Sequence, residues 1–583
     1  MTRYDYVVFV FYFGFMLTIG WVFRRFVTNV SDYFRGGGKA LWWMVGGSAF
    51  MVQFSAQTFT GAASQAYREG WPIAAIYLGN VFGFIVNALF FAPRVRQLRV
   101  VTGIEAIRLR FGAVSEQFFT WLQIPFGLLQ AGIWLNSLSV FFAAVFGVDL
   151  SLTIVVTGIV VLVIALIGGS WAVLASDFIQ VLILMPVCLA VTLLAIAKVG
   201  GLGAFVHRAP AGHLDFSQLW TKDFLWLWCL AMFLKQLHTT NNLIDANRYL
   251  CVKDGAHARK AGLLGAALFL GGIVVWFVPP IAAAIRFPDL HALFPQLQHP
   301  DEAAFIAIAR DVMPVGMMGL LVSGIFAATM SSMDSGLNKN TGFFIKNFYQ
   351  PILRPGATEA QLLRAGKIST LVLGCLVIAV ALEMSRLHGL TLFLWVQRVG
   401  ILVQIPIVVP LLLALLVKKT PPWAAWSTVI VGFCSSLFIT NHLTPEWAAA
   451  FFHLPHPLEG AAREYWAQAI ELIGNVAICA AWFCGTRAFW SRASAAYRAR
   501  NAEFFQRLER PVDFAREEGE HAANDSRQAR VVGWLCLGYA AFVAALAAID
   551  NPPAGRLAFL GCAGIVALVG GALVRRGRAA RAA

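Results

Sequence analysis

The chain has 583 residues, of which 59% are hydrophobic and 13% are charged, and its mean hydropathy is +0.70. This composition excludes an ordinary soluble domain, in which about 25% of the residues are charged. The formal net charge of +15 does not indicate a nucleic-acid partner, because the Lys and Arg residues concentrate in alternate connections between apolar runs.

Apolar runs of about 20 residues recur from end to end, and each is long enough to cross a bilayer as a helix. They predict an all-α, polytopic membrane protein with about fifteen transmembrane helices. The bias of Lys and Arg predicts an outer N-terminus and a cytoplasmic C-terminus. We therefore expect a multi-pass protein of the cell inner (plasma) membrane, surrounded by lipid. The first helix, Tyr4 to Val22, lacks a cleavage site after it and is expected to be retained.

The second predicted helix, Trp42 to Ala66, has polar side chains in its middle and glycines on both sides of them. The polar residues are Gln53, Ser55, Gln57, Thr58 and Thr60. Unwound backbone is tolerated at membrane depth only where it lines a cavity or binds something. The pattern predicts a broken helix that forms half of an ion site; the alternative is a continuous helix with a packed polar face.

Two carboxylates lie in apolar surroundings, Asp177 early in the sixth predicted helix and Asp334 in the ninth. Around Asp334, one helix face carries Ala328, Ser331, Ser332 and Ser335. A carboxylate facing lipid is costly, so this face should point into the helix bundle, where oxygen ligands suit a hard cation. The pattern favours a sodium site. The alternatives are close helix packing by small residues and, for Asp177, a helix cap or a lysine partner.

The 487–530 segment differs from the rest, because basic residues alternate with aromatic residues. It predicts a cytoplasmic basic amphipathic helix on the anionic inner leaflet, followed by a solvated linker. The 531–583 segment predicts a C-terminal helical hairpin with a basic tail.

Several motifs occur in a fixed order between these helices. They are Ser31–Gly38, Gly103–Gly112, Gly169-Ser-Trp-Ala with Asp177-Phe-Ile-Gln180, Arg248-Tyr-Leu, and Ala327–Ser332. In this order they resemble the sodium:solute symporter family, over roughly residues 1–440.

The resemblance implies a LeuT-type fold, in which two inverted repeats of five helices follow one preceding helix. The implied repeats are 41–198 and 223–417, joined by an outer loop at 199–222. Residues 1–40 hold the first helix and an inner loop, and 418–486 hold additional helices before the 487–530 linker and the 531–583 hairpin.

By the same resemblance, sodium ions bind at two places. The main site takes the carbonyls of Met51, Phe54 and Ala328 and the hydroxyls of Ser331 and Ser332. A possible second site takes Asp177, Ser331, Asp334 and Ser335. A hydroxyl is usual in the family at the position of Asp334, so this carboxylate could bind sodium more tightly, carry a proton, or form a salt bridge with Arg398.

The resemblance also points to substrate-binding positions on four helices. The polar candidates are Gln53, Thr58, Tyr77, Asn80, Asn242 and Gln397. Tyr77 replaces an acidic residue of sugar carriers, which argues against a simple galactose-like mode. Three further cations could receive a carboxylate: Lys235, His238 and Arg398.

The sequence therefore predicts a sodium-coupled symporter that imports a small polar solute, such as a sugar, a sugar acid or a related organic acid, by alternating access. A proton-coupled carrier of the same fold is one alternative, and a membrane sensor derived from a transporter is another. We expect no enzymatic activity, no nucleic-acid partner and no obligate protein partner.

Overall fold

The computed structural model describes residues 2–23, 38–100, 102–166, 170–295, 297–386, 391–518 and 522–582. Within these ranges the regular secondary structure is helical, apart from an isolated parallel β-bridge between Ala40 and Val252, and turns and irregular segments connect the helices. Of the family motifs, residues 31–37 and Gly169 lie outside the described residues.

The first half of the chain forms fourteen described α-helices. They are α1 (Arg3–Phe23), α2 (Trp42–Val52), α3 (Ala56–Phe59), α4 (Gly61–Glu69), α5 (Ala74–Val86), α6 (Ala92–Gln97), α7 (Gly103–Phe111), α8 (Ala113–Phe146), α9 (Leu150–Ala165), α10 (Ser170–Lys198), α11 (Gly201–Arg208), α12 (Gln218–Thr221), α13 (Leu225–Thr240) and α14 (Gly255–Arg286).

The second half of the described chain adds twelve. They are α15 (Ala304–Val312), α16 (Met317–Phe344), α17 (Glu359–Arg386), α18 (Leu392–Val399), α19 (Ile405–Leu413), α20 (Ala424–His442), α21 (Pro445–Phe451), α22 (Gly460–Gly485), α23 (Ala495–Glu509), α24 (Phe514–Glu518), α25 (Ala522–Ala545) and α26 (Pro553–Ala582). Single π-helical segments extend three of the long helices, at Asn87–Phe91, Ile345–Leu353 and Gly400–Gln404.

Twelve helical stretches in the described chain are long and apolar enough to cross a membrane. Three shorter elements lie between such stretches: the broken helix α2 to α4, the apolar α9, and α13. Counted together with the twelve stretches, these three elements are roughly consistent with the fifteen crossings predicted from hydropathy. Large apolar side chains remain exposed on the outer faces of these helices, as expected for a surface in contact with lipid.

The second predicted helix is broken, as its polar middle indicated. α2 ends at Val52, and residues Gln53 to Ser55 are not helical before α3 begins. The Ser55 hydroxyl caps α3 by accepting from the backbone N–H of Gln57 at 3.3 Å. On the far side, the Thr329 hydroxyl of α16 accepts from the backbone N–H of Ala56 at 2.8 Å. The break is therefore fixed against α16.

A second interruption of a helix follows α13. The α-helix ends at Thr240, and a turn leads into a 3-10 segment, Asp245–Cys251. The Asn241 amide stabilises this end by donating to the carbonyls of Gly83 at 3.1 Å and Leu237 at 2.9 Å. The interruption is tolerated within an apolar segment because side-chain amides replace the missing helical hydrogen bonds.

The broken helix lies in the centre of the bundle. α14 packs against both α2 and α5, α10 packs against α2, and α16 packs against α8 and α10. The C-terminal hairpin, α25 with α26, packs on the outside of α10, and Phe542 stacks on Phe11 of α1 with ring centroids 3.5 Å apart. The hairpin is thus attached to the bundle through the first helix and α10.

The amphipathic helix predicted in the 487–530 segment exists as α23, but its apolar face is covered by protein and not by a lipid leaflet. Its buried side chains pack against α6 and α7: Tyr497, Asn501, Phe504, Phe505 and Leu508. Arg110, which is fully buried, donates to the Tyr497 hydroxyl at 3.1 Å and lies over the Phe505 ring. The expected leaflet contact of this face is therefore wrong.

Candidate functional site

The oxygens expected at the main ion site converge on one side chain of α16. Ser332 is 1% exposed, and its hydroxyl oxygen lies 3.2 to 3.3 Å from three backbone carbonyl oxygens, those of Met51, Phe54 and Ala328. Two of these carbonyls, those of Met51 and Phe54, are at the break of α2, and the Met51 carbonyl also accepts from the backbone N–H of Phe54 at 3.1 Å. Four neutral oxygens in a dry setting form a donor set suited to a hard monovalent or divalent cation.

Ser331 takes part in a different cluster, centred on Asp177. The Asp177 carboxylate is fully buried and accepts hydrogen bonds from the hydroxyls of Ser331 and Ser48. Ser48 lies on α2, one turn before the break, and was not among the predicted site residues. Three helices, α2, α10 and α16, therefore each contribute one oxygen-bearing side chain to this cluster.

The second predicted carboxylate, Asp334, lies beside this cluster and faces an arginine. Its carboxylate accepts from the Asn338 amide at 2.8 Å, and it interacts electrostatically with both Asp177 and Arg248. Arg248, from the 3-10 segment after α13, also donates to the Ser335 hydroxyl at 2.5 Å. The Ser335 hydroxyl is thus hydrogen-bonded to the Arg248 guanidinium.

Arg398 does not supply the positive charge near Asp334. Its side chain is exposed and interacts electrostatically with Glu471 of α22. The structure therefore does not contain the salt bridge considered between Asp334 and Arg398, and the cation that acts electrostatically on Asp334 is Arg248. Arg398 also lies outside the cavity that its neighbour Gln397 lines.

A cavity of about 240 Å³ lies beside the break of α2. Six of the predicted substrate-binding residues line it: Gln53, Tyr77, Asn80, Lys235, Asn242 and Gln397. Thr58 lies behind this wall, where its hydroxyl accepts from the Tyr77 hydroxyl at 3.3 Å. The Asn242 side chain also serves the turn after α13, since it accepts from the backbone N–H of Ile244 at 3.0 Å.

His238 does not belong to this lining. Its Nδ1 atom lies 2.8 Å from the Leu234 carbonyl oxygen of its own helix, which is a contact that satisfies a packed histidine. The Lys235 side chain, one turn earlier, instead points into the cavity and donates to the Gln397 side-chain oxygen.

The cavity contains more amides than the sequence indicated. Seven glutamines line it: Gln53, Gln57, Gln123, Gln130, Gln236, Gln397 and Gln404. Gln123 and Gln130 come from the long helix α8, and Arg248 and Lys339 add two cations to Lys235. Amides can both donate to and accept from a hydroxyl, so this lining suits a ligand that carries many hydroxyl groups.

Four buried polar atoms of the lining have no hydrogen-bond partner among the described residues. They are the side-chain oxygens of Asn80, Thr240, Tyr249 and Asn340. An unpaired buried oxygen costs about 1–3 kcal/mol, which a bound polar molecule would remove. The cavity therefore has hydrogen-bonding capacity for a ligand.

The ion cluster and the cavity share the break in the second helix. The carbonyls of Met51 and Phe54 face Ser332, while the side chains of Gln53 and Ser55 line the cavity. An ion at the first position and a solute at the second would each contact the same short unwound segment.

Comparison with known proteins agrees with this arrangement. The Sodium:solute symporter family profile matches residues 33–432. Sodium/myo-inositol cotransporter 2 of Rattus norvegicus is 26% identical over 485 residues, which are 74% of this chain and 69% of that protein. Sodium/glucose cotransporter 4 of Danio rerio is 26% identical over 466 residues, 73% of this chain and 70% of that protein.

Solved structures show the fold. A Na⁺-coupled sialic acid symporter in a substrate-bound outward-open state superposes with a TM-score of 0.66 and 20% identity, covering 82% of this chain and 97% of that chain. A nucleobase-cation-symport-1 family transporter superposes with a TM-score of 0.50 and 14% identity, over 82% and 99%. The LeuT-type architecture is thereby confirmed. Since the family profile covers more than half of its length, this multi-pass membrane protein belongs to the sodium:solute symporter family.

Proposed function

We propose that this protein imports a small polyhydroxylated solute, such as a sugar, a sugar acid or a polyol, together with sodium ions by alternating access. The observation that carries the proposal is the convergence of the Ser332 hydroxyl with three backbone carbonyls at the break of α2. The same break borders the amide-lined cavity. Sodium and solute then bind at opposite sides of one unwound segment.

The proposed coupling follows from this shared segment. Sodium at the Ser332 site would replace the weak hydrogen bonds of one hydroxyl by contacts to all four oxygens, and would hold α2 against α16. With the break fixed, Gln53 and Ser55 are held in position for the solute, so that binding of the ion lowers the cost of ordering the cavity. By linkage, the solute strengthens sodium binding by the same factor.

A second ion is supported by the cluster of Asp177, Ser331 and Ser48 beside Asp334. Two buried carboxylates close together do not both stay ionised without a cation. Arg248 supplies one positive charge to the pair, which leaves room for one sodium ion or one proton. We rank sodium first. The proximity of the carboxylates also makes proton coupling the second candidate for this carrier.

Substitutions of the two aspartates distinguish a second sodium ion from a proton at this site. If a second sodium binds, Asp177→Asn and Asp334→Asn each lower the Hill coefficient for sodium towards one and leave the pH profile flat. If the pair carries a proton, transport by the unmodified protein depends on pH, and Asp334→Asn removes that dependence while sodium cooperativity persists. A fully active Asp334→Asn in a protein without sodium cooperativity contradicts both assignments.

The nature of the solute is supported by the lining and by the relatives. Amide side chains and unpaired buried oxygens favour hydroxyl groups. Relatives that are similar over most of their length are named for the cotransport of myo-inositol and glucose. We therefore propose a carbohydrate-like solute.

The experiment that tests the proposal is uptake into proteoliposomes with sodium or choline outside at equal ionic strength. The panel contains sugars, sugar acids, polyols and, as a comparison class, amino acids. We expect sodium-stimulated uptake of at least one polyhydroxylated solute. Uptake that follows a pH gradient and ignores sodium, or a response to amino acids alone, would overturn it.

The proposed orientation has its own test. Arg498 on α23 and His291 in the 287–299 connection are both exposed. In intact cells, Arg498→Cys should resist a membrane-impermeant thiol reagent added outside, whereas His291→Cys should react, because the Lys and Arg bias puts the former inside. Labelling in the opposite pattern would mean that the proposed membrane orientation, with the C-terminus in the cytoplasm, is reversed.

A further inference from the structure

The cavity contains a lysine whose charge has no counter-ion. Lys235 is 4% exposed, and its only hydrogen-bond partner among the described residues is the neutral Gln397 side-chain oxygen, at 2.5 Å. No acidic side chain of the described chain acts on it electrostatically. A buried ammonium group without a negative partner is costly at membrane depth, and such groups mark functional sites.

The other charges of the cavity do not correct this imbalance. Among the described lining residues there are three cations, Lys235, Arg248 and Lys339, and no Asp or Glu. Arg248 has Asp177 and Asp334 as electrostatic partners. Of the three cations, Lys235 is the one that is buried, and its partner in the described chain is neutral.

The surroundings of Lys235 hold its ammonium group in place. Gln397 is oriented by a contact of 3.0 Å from its amide nitrogen to the Met232 sulfur, so its oxygen faces the lysine. In the π-helical segment after α18, Gly400 leaves the space that the ammonium group occupies, since a methyl group there would lie 2.5 Å from Nζ. A fixed ammonium on a cavity wall is an arrangement suited to binding an anion.

Elsewhere in the same cavity, the unpaired oxygens of Asn80 and Thr240 call for hydroxyl donors. A neutral polyol would satisfy these oxygens but leave Lys235 uncompensated. A carboxylate without hydroxyl groups would pair with Lys235 but leave these oxygens without a donor. Only a solute with both groups satisfies both features.

We infer, on the basis of the proposed function, that the transported solute is a polyhydroxylated monocarboxylate, that is, a sugar acid, and that Lys235 binds its carboxylate. Gln397 is a positioning residue that orients the lysine. Hydroxyl groups of the solute donate to the amide-rich part of the wall.

The test uses solutes that differ in the carboxylate and little else. The pairs are glucuronate with glucose, galacturonate with galactose, and gluconate with glucitol, each titrated in sodium and in choline against the melting temperature of the purified full-length protein. We expect the acid of at least one pair to bind at least 10-fold more tightly than its neutral partner, in sodium only. A neutral partner that binds as well as the acid overturns the inference and leaves the proposed function intact. A panel without any sodium-dependent response overturns both.

The lysine is tested by Lys235→Met, which keeps the length of the side chain and removes its charge. Loss of a charge-assisted contact should weaken acid binding about 10- to 100-fold and leave the neutral partner unchanged. Lys260→Met, at an exposed position of α14, is the matched control and should behave like the unmodified protein. An acid preference that survives Lys235→Met contradicts the assignment.

If Lys235→Met does not fold, Gly400→Ala provides the second variant. Its methyl group displaces the ammonium group without removing it. It should lower the affinity for the acid while the sodium-induced rise in melting temperature persists, and an unchanged acid affinity would refute the role of Lys235.

Discussion

The most direct prediction concerns the two adjacent serines of α16, because the structure gives them different partners. Ser332 faces the carbonyls of Met51, Phe54 and Ala328, whereas Ser331 donates to Asp177. Ser332→Ala removes one of four oxygens from the first cluster and leaves the carbonyls in place. We expect a folded protein with a weaker sodium site.

The size of the effect follows from the oxygen count. A contact between a neutral polar group and an ion contributes about 1.5–3 kcal/mol, and each 1.4 kcal/mol corresponds to about tenfold in affinity. Ser332→Ala should therefore raise the half-saturating sodium concentration about 10- to 150-fold. Ser331→Ala acts on the other cluster and should mainly change the Hill coefficient.

The assay does not require the solute to be known. Purified protein is titrated with sodium chloride, with choline chloride keeping the ionic strength constant, and the melting temperature is followed, since an ion that binds only the folded state raises stability with the logarithm of its concentration. Ser323→Ala is the matched control, because Ser323 lies on the same helix, is fully buried, and its hydroxyl has no partner in the described chain. If Ser332→Ala and Ser323→Ala need the same sodium concentration, the ion site lies elsewhere.

Two further predictions concern regions outside the bundle centre. Glu302, in the connection before α15, is buried, and burial raises the pKa of its carboxyl to about 8. The folded state thus holds a proton that the unfolded chain, with a pKa near 4.3, has released. Its contribution to stability is complete below about pH 4 and is lost as the pH rises through about 8. The melting temperature should therefore fall between about pH 5 and 8 and level off above that. Glu302→Gln should flatten this slope, and parallel slopes would refute the assignment. At the docked C-terminal segment, Tyr497→Phe removes the hydroxyl that accepts from the buried Arg110 and should lower the unfolding free energy by about 1–3 kcal/mol. Tyr539→Phe, whose buried hydroxyl has no partner in the described chain, should change it little, and equal losses would contradict the role given to Tyr497.

The sequence was most informative where a polar pattern interrupted an apolar one. The run from Gln53 to Thr60 predicted the break in the second helix, and the spacing of Ser331, Ser332 and Ser335 predicted a buried polar face. Both follow from the cost of polar groups in lipid, which leaves few structural solutions. A comparable polar run, His238 to Asn242, marks the end of α13, so the same reasoning applies to that interruption.

Partners that are distant along the chain could not be predicted from one sequence. Ser48 meets Asp177 across 129 residues, and nothing in the local pattern of α2 distinguishes it from any other small residue of a packed helix. The sequence analysis considered Arg398 as the partner of Asp334, and no local pattern pointed to Arg248.

The amphipathic helix α23 shows a related limit. Its sequence indicates that one face is apolar, but that face can be buried equally well against lipid or against another helix of the protein. The deciding feature is Arg110, a buried guanidinium in α7 that needs acceptors. It finds them in Tyr497 and in the Thr420 hydroxyl at 2.8 Å. A buried cation on one element thus determined the docking of another element almost 400 residues later.

The geometry at the break of α2 indicates how binding of sodium can be coupled to binding of the solute. At the break of α2, the carbonyl of Phe54 turns to Ser332 and the side chain of its neighbour Gln53 turns to the cavity. An ion on one side therefore restricts the backbone that presents the amide on the other. On this argument, Gln53→Ala should leave the sodium-induced rise in melting temperature intact and reduce the increase in sodium affinity that a solute causes, because the link between the sites, and not the ion site itself, is lost.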